Sequence, residues 1–209
     1  MNEQPSGNER SSHWDSSYED GGDRVSWSQD EAGVSKELID DLGLAQDAPV
    51  IDVGGGASPL TGQLVADGFT DLTVLDVSGV ALDKARKAMP DGADRVTWVK
   101  ADLLEWNPTG SYLLWHDRAV LHFLNSREDQ EAYADLVRSV VRPGGHAVIG
   151  TFSLEGPERC SGLPVTRYGR DELTELLGDV FEVVGDRSES HITPGGKTQE
   201  FTWIVARHM

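Results

Sequence analysis

The residues best placed for chemistry stand at the ends of short apolar runs. Val50-Ile51-Asp52-Val53 feeds Gly54-Gly55-Gly56 and then Ala57-Ser58-Pro59. A glycine-rich turn between a strand and a helix lets the backbone approach a ligand closely, at the strand ends where open α/β sheets bind ligands. The run Leu72-Thr73-Val74-Leu75 ends in Asp76, beyond the glycines, where an acid accepts hydrogen bonds from a ribose diol. Val96-Thr97-Trp98-Val99-Lys100 leads in turn to Ala101-Asp102-Leu103. Glycine or acid at three successive strand ends describes a cradle for adenosine. Capping the next helix is the other use open to Asp76, but Ser78 can serve there. Pyrophosphate binding loses support, because the dinucleotide fingerprint needs a small residue where Pro59 stands. Pro59 suits the first position of the following helix.

A second cluster, Trp115-His116-Asp117-Arg118-Ala119-Val120-Leu121-His122-Phe123-Leu124, offers groups for proton handling and anion binding. His116, Asp117 and His122 are candidate bases, with His122 the first choice. A satisfied, partly buried histidine is the other reading of His122. Arg118 can hold an anionic substrate, or pair with Asp117 or another acid. The loop at 155–164, punctuated by Gly156, Pro157, Gly162 and Pro164, predicts a wall or lid over a substrate. Its Cys160 reads first as a packed small side chain and second as a soft ligand for a metalloid. One cysteine excludes an internal disulfide and any zinc site of several thiolates, so no metal site is expected.

These residues need a frame that brings strand ends together, and the chain alternates accordingly. A helix at 35–44 rests on the spacing of Leu38, Ile39, Leu42 and Leu44 and ends near Gly43. Strands at 49–53, 72–75, 96–99 and 112–115 alternate with helices at 59–67 and 80–89. The His116 to Leu124 segment follows the fourth of these strands. A helix at 129–141, closed by Arg142-Pro143-Gly144-Gly145, precedes a strand at 146–152. Strands separated by helical patterns mean βαβ units and a mostly parallel sheet with helices on both faces, the doubly wound α/β class. After a helix at 170–177, strand-like runs at 181–184 and 201–205 predict an antiparallel hairpin turning through Thr193-Pro194-Gly195-Gly196. His191 and Thr193 in its loop are expected to border the substrate pocket.

Residues 1–28 form a polar leader whose first dozen residues bury too little to order themselves. Trp14, Tyr18 and Trp27 interrupt it and predict a segment near 13–28 that folds over the domain or a ligand. Residues 29–209 fit one domain with a single core. With no secretory signal and no apolar run near the roughly 20 residues that span a bilayer, a soluble cytoplasmic protein is expected, as monomer or homodimer. A net charge of −18 repels polyanions and anionic membranes, so neither is expected as a partner. The acidity reads as solubility or salt adaptation before recognition.

Asp52-Val53-Gly54-Gly55-Gly56, Asp76, Asp102 and Arg142-Pro143-Gly144-Gly145 resemble the ordered motifs of class I methyltransferases that use S-adenosylmethionine (SAM). The resemblance runs from about Trp14 to the C-terminus. It implies a Rossmann-like, seven-stranded mixed sheet with an antiparallel last strand, and SAM as cofactor with S-adenosylhomocysteine (SAH) as product. It places Gly54 and Gly56 against the methionine part, Asp76 on the ribose hydroxyls, and Asp102 and Leu103 near the adenine. Gly55, Val77, His116 and Trp27 are further cofactor contacts, and Asp52 orients the glycine loop and the donor's ammonium. The segment from Trp115 resembles the Asp-Arg or Asp-Lys segment beside the transferable methyl in thiopurine-methyltransferase-like enzymes and in some protein-lysine methyltransferases. His13-Trp14-Asp15, Tyr18 and Ser26-Trp27 are similar to the segment those families close over SAM. The expected activity is in-line methyl transfer to a small-molecule acceptor, with His122, Asp117 and Arg118 as catalytic candidates and oxygen, nitrogen and sulfur all open as acceptor atom. Protein-lysine methylation and non-catalytic SAM binding are the alternatives, ahead of a nicotinamide oxidoreductase.

Overall fold

Short β-branched and apolar runs, each ended by glycine or an acid, become the central strands of one sheet. The computed structural model describes residues 7–20, 31–89 and 91–209. In chain order the elements are α1 (Gly7–Asp20), α2 (Gly33–Asp41), β1 (Val50–Val53), α3 (Leu60–Ala66), β2 (Leu72–Asp76), α4 (Gly79–Ala88), β3 (Val96–Lys100) and β4 (Tyr112–Arg118). There follow a 3-10 turn (Leu121–Phe123), α5 (Arg127–Val140), β5 (Val141–Phe152), β6 (Arg159–Cys160), β7 (Leu163–Pro164), α6 (Arg170–Leu177), β8 (Phe181–Ile192) and β9 (Thr198–His208).

Seven strands lie in the order β3-β2-β1-β4-β5-β9-β8, and β6 and β7 make a separate small hairpin. The strands from β1 to β5 pair in parallel, and β9 runs antiparallel to both β5 and β8. Helices pack on both faces. One core gathers Trp115, Tyr133, Ile149, Leu173 and Ile204, and the other Ile39, Leu60, Leu64, Leu82 and Trp203. With both faces covered, β1 and β2 are buried along their whole length, which is why they read as unbroken apolar runs. The order reverses between β1 and β4, and a crevice opens there at the carboxyl ends of the strands.

Several elements differ from the sequence reading. β4 continues through Arg118, which still pairs with Gly150, so His116, Asp117 and Arg118 lie within the strand and not after it. Arg142-Pro143-Gly144-Gly145 belongs to β5, where the register jumps from Tyr112 opposite Val141 to Leu114 opposite His146. Pro59 caps α3 and Leu60 begins it. The arms of the hairpin are 12 and 11 residues long. β8 is an edge strand with polar residues on both faces, so no apolar period announced its extension beyond Val184, and His191 stands in its ladder opposite Gln199. In the leader, Gly7–Asp20 is a helix, although no order was expected in the first dozen residues. Trp27 lies outside the described residues, as does the rest of the 21–28 segment. No described helix is long and apolar enough to cross a membrane.

Candidate functional site

The crevice holds a cavity of about 130 Å³. Its floor is made by the strand ends: Val53 and Gly54 at the end of β1, Leu75 to Val77 at the end of β2, Ala101 to Leu103 after β3, and Arg118 to Val120 at the end of β4. Arg10, Trp14 and Tyr18 of α1 form the roof, and Phe123, Leu124 and Cys160 close the far side.

The glycine loop is shaped by contacts inside the protein. Gly54 has a φ of +66°, and a β-carbon there would stand 2.2 Å from Val120 Cγ2. A β-carbon on Gly55 would meet Asp52 Oδ2 at 2.4 Å, and one on Gly56 would meet Asp76 Oδ2 at 2.6 Å. Asp52 lies under this loop, almost fully buried. It accepts hydrogen bonds from Thr61 Oγ1 at 3.3 Å and from His116 Nδ1 at 2.7 Å, and His116 Nε2 meets Ser35 Oγ at 2.9 Å. Neither Asp52 nor His116 lines the cavity. Both support the glycine loop from below, and alternation along β4 turns His116 towards α2.

Asp76 and Asp102 both face the cavity. Asp76 is fully enclosed, and desolvation lifts its carboxyl to about 7; backbone N–H groups of Ser78 and Gly56 pull it down, and the charges of Asp52 and Asp15 push it up. Ser78 caps α4 by accepting from Ala81 N, which leaves the Asp76 side chain directed at the crevice. Asp102 accepts from Leu104 N at 3.0 Å and from Arg10 Nε at 2.5 Å. Further contacts hold α1 down: Asp15 Oδ1 accepts from Ser78 Oγ and Val80 N, Ser11 Oγ donates to Val77 O, and Lys84 Nζ donates to Tyr18 O. Arg10, Trp14 and Tyr18 are spaced i, i+4, i+8, one face of a helix. That spacing was the available signal for Arg10, which sequence reasoning missed.

Of the three catalytic candidates only Arg118 reaches the cavity. Asp117 points the other way, accepting from Val120 N, Leu121 N and Tyr133 OH at 2.8, 3.1 and 2.8 Å. Burial lifts its carboxyl to about 6 against those hydrogen bonds. Its role is to bind the backbone of the turn after β4. His122 is also fully enclosed, between the rings of Phe123 and Phe152, with Nδ1 facing Phe152 N at 3.4 Å. Desolvation, with Arg118 nearby, lowers it to about 3. His122 and Asp117, both expected as catalytic, are thus buried and do not line the cavity. His191 and Thr193, expected at the pocket, do not line it. Cys160 does, carried there by the β6–β7 hairpin, whose two turn residues Ser161 and Gly162 both have positive φ.

Residues 50–145, from β1 into the start of β5, match a family model described as a methyltransferase domain. Over these residues the chain resembles a methyltransferase domain. The parts of the crevice from Val53 to Leu124 all lie within the matched residues, whereas α1 and Cys160 lie outside them. Its fold is shared with solved methyltransferases. The Burkholderia thailandensis 1,6-didemethyltoxoflavin-N1-methyltransferase, solved with 1,6-didemethyltoxoflavin and SAH, is 22% identical with a TM-score of 0.73, over 100% of this chain and 93% of its own. A protein solved in work on conversion of a disulfide bond into a thioacetal group during echinomycin biosynthesis is 19% identical with a TM-score of 0.75, over 95% and 92%. The N-methyltransferase NodS from Bradyrhizobium japonicum is 19% identical with a TM-score of 0.66, over 83% and 93%. No curated protein matches the sequence.

Proposed function

We propose that this protein transfers the methyl group of SAM to a small molecule held in the same roofed cavity. The observation that carries the reading is the division of that cavity. Two carboxylates, Asp76 and Asp102, stand at one end, and Arg118 with apolar side chains stands at the other. The first end fits adenosine: Asp76 accepts from ribose hydroxyls, Asp102 and Leu103 border the base, and the side-chain-free Gly54 leaves room for the methionine part. Val77 and the roof residues Trp14 and Tyr18 complete the enclosure. When bound, SAM supplies an electrophilic methyl on a sulfonium that is its own leaving group. The protein's part is to align acceptor, methyl and sulfur and to keep water out. The residues at the acceptor end are Ala119, Val120, Phe123, Leu124, Trp14, Cys160 and Arg118, a lining suited to a compact, partly planar acceptor.

The 1,6-didemethyltoxoflavin-N1-methyltransferase of similar fold holds 1,6-didemethyltoxoflavin and SAH in its crystal, which supports a small acceptor here. The test is calorimetric titration with SAM, SAH and NAD in turn. Binding of SAM and SAH without NAD is expected, and binding of NAD alone would overturn the reading.

A further inference from the structure

Resting on that reading, we infer that Ser35 and His116 are positioning residues for the donor: with Asp52 they form a buried hydrogen-bonded network that holds the glycine loop in the shape that receives the methionine part of SAM. The network joins three elements far apart in sequence, α2, β4 and β1. Ser35 Oγ meets His116 Nε2 at 2.9 Å, and His116 Nδ1 meets Asp52 Oδ1 at 2.7 Å. Ser35, His116 and Asp52 are 2%, 2% and 3% exposed. In the neutral imidazole Nδ1–H donates to the carboxylate and Nε2 accepts from the serine hydroxyl, so both ring nitrogens are used. Serine, imidazole and carboxylate follow one another as in a nucleophilic triad. Ser35 nevertheless lies on the buried face of α2 and does not line the cavity, so this network holds a shape and attacks nothing.

The shape is set through the Asp52 carboxylate. It stands in β1, a strand buried along its whole length, where a polar group must make its hydrogen bonds or destabilise the fold. Oδ1 takes the imidazole, and Oδ2 takes Thr61 Oγ1 at 3.3 Å. Oδ2 also lies so close to Gly55 that a β-carbon there would meet it at 2.4 Å. Turning the carboxylate would therefore press an oxygen into the loop or draw the loop after it. One residue on, Gly56 N–H donates to Asp76, and one residue back, Gly54 N donates to Leu75 O at 2.7 Å. Gly54 is the loop residue that lines the cavity, so the position of Asp52 is felt at the donor's methionine end.

Ser35 acts at one remove. By engaging Nε2 it keeps the ring turned with Nδ1 towards Asp52, and the Trp203 ring, stacked at a centroid distance of 6.1 Å, limits its tilt. The adenosine end does not depend on this network. Asp76 is anchored separately by Ser78 N at 2.8 Å, and Asp102 by Leu104 N at 3.0 Å. Disturbing Ser35 or His116 is therefore expected to weaken the grip on the methionine part and to spare the grip on adenosine.

The test titrates the full-length protein with SAH and with 5′-methylthioadenosine, which keeps the adenosine and the thioether but lacks the amino-acid part. The wild type should bind SAH the more tightly of the two. Ser35→Ala and His116→Phe should each weaken SAH about tenfold, the scale of one buried hydrogen bond left unmade, and change methylthioadenosine by less than about twofold. His116→Asn, whose amide can stand in for Nδ1–H, should retain more SAH affinity than His116→Phe. Ser35→Ala added to His116→Phe should weaken SAH no further, because the serine acts through the ring. Equal weakening of both ligands would reduce the network to general support of the fold and overturn the proposal. So would unchanged SAH affinity in Ser35→Ala, or additive losses in the double variant. If His116→Phe does not fold, Ser35→Ala and His116→Asn carry the same comparison of the two ligands. Failure of both ligands to bind the wild type would instead remove the methyltransferase reading.

Discussion

Arg10 Nε donates to Asp102 Oδ2 across 2.5 Å, tying a helix of the polar leader to the loop after β3. A partly exposed charged hydrogen bond contributes about 1.5 kcal/mol, and changes to such contacts fall mainly on dissociation rates. Arg10→Gln should therefore speed SAH release about tenfold in stopped-flow displacement, with less change in association. An unchanged release rate would mean that α1 does not gate the site.

Binding of SAH should weaken as pH falls through about 7, where Asp76 takes up a proton in the free protein. Ribose hydroxyls donate to the carboxylate form, so they favour the ionised state and expel that proton. Affinity should rise between about pH 6 and about pH 8, with proton release visible in calorimetry in buffers of different ionisation enthalpy. Asp76→Asn should bind more weakly and lose this pH dependence; a variant that kept it would move its source elsewhere.

His122→Asn should retain turnover to within about twofold, against the hundredfold or larger loss typical of removing a true proton-transfer group. Its effect belongs to stability. The unfolded imidazole takes a proton below about 6.5, whereas the buried one resists until about 3. His122 thus contributes stability above about pH 6.5 that is lost as pH falls towards 3. Asp117, lifted to about 6, acts in the opposite sense, gaining stability as pH falls from about 6 towards its unfolded value near 4. Thermal melts should show that His122→Asn loses less stability than the wild type on acidification to about pH 5.

Gly54→Ala should abolish measurable SAM binding, because its β-carbon would overlap Val120 Cγ2 at 2.2 Å. Adding Val120→Ala removes that atom and should recover part of the affinity. The remaining deficit reflects an alanine at a φ of +66°, a strain of about 1 kcal/mol. If the double variant bound no better than the single one, crowding against Val120 would not be the reason for glycine here.

Much of this molecule was legible because its signals are local. Glycines and acids terminate β1, β2 and the loop after β3, and right-handed βαβ crossovers bring those ends to one side of a parallel sheet whatever the details of packing. Asp76 and Asp102 could thus be assigned to one cavity from their positions alone. The alternation of strands and helices also predicted the doubly wound sheet, and two strand-like runs without a helix between them predicted its antiparallel strand.

The choice among His116, Asp117, Arg118 and His122 was decided only by tertiary structure. All four are polar, and they stand within seven residues. Where the ladder with β5 ends determines which way each points: the strand runs to Arg118, Ala119 turns with a φ of +72°, and the 3-10 turn puts His122 behind Phe123. Arg10 likewise carried a helical spacing with Trp14 and Tyr18, but its partner Asp102 is 92 residues away. Chain-local periods set the strand ends and the cavity-facing acids; docking of α1 and the facing of each β4 side chain depend on contacts between distant segments, which no local pattern encodes.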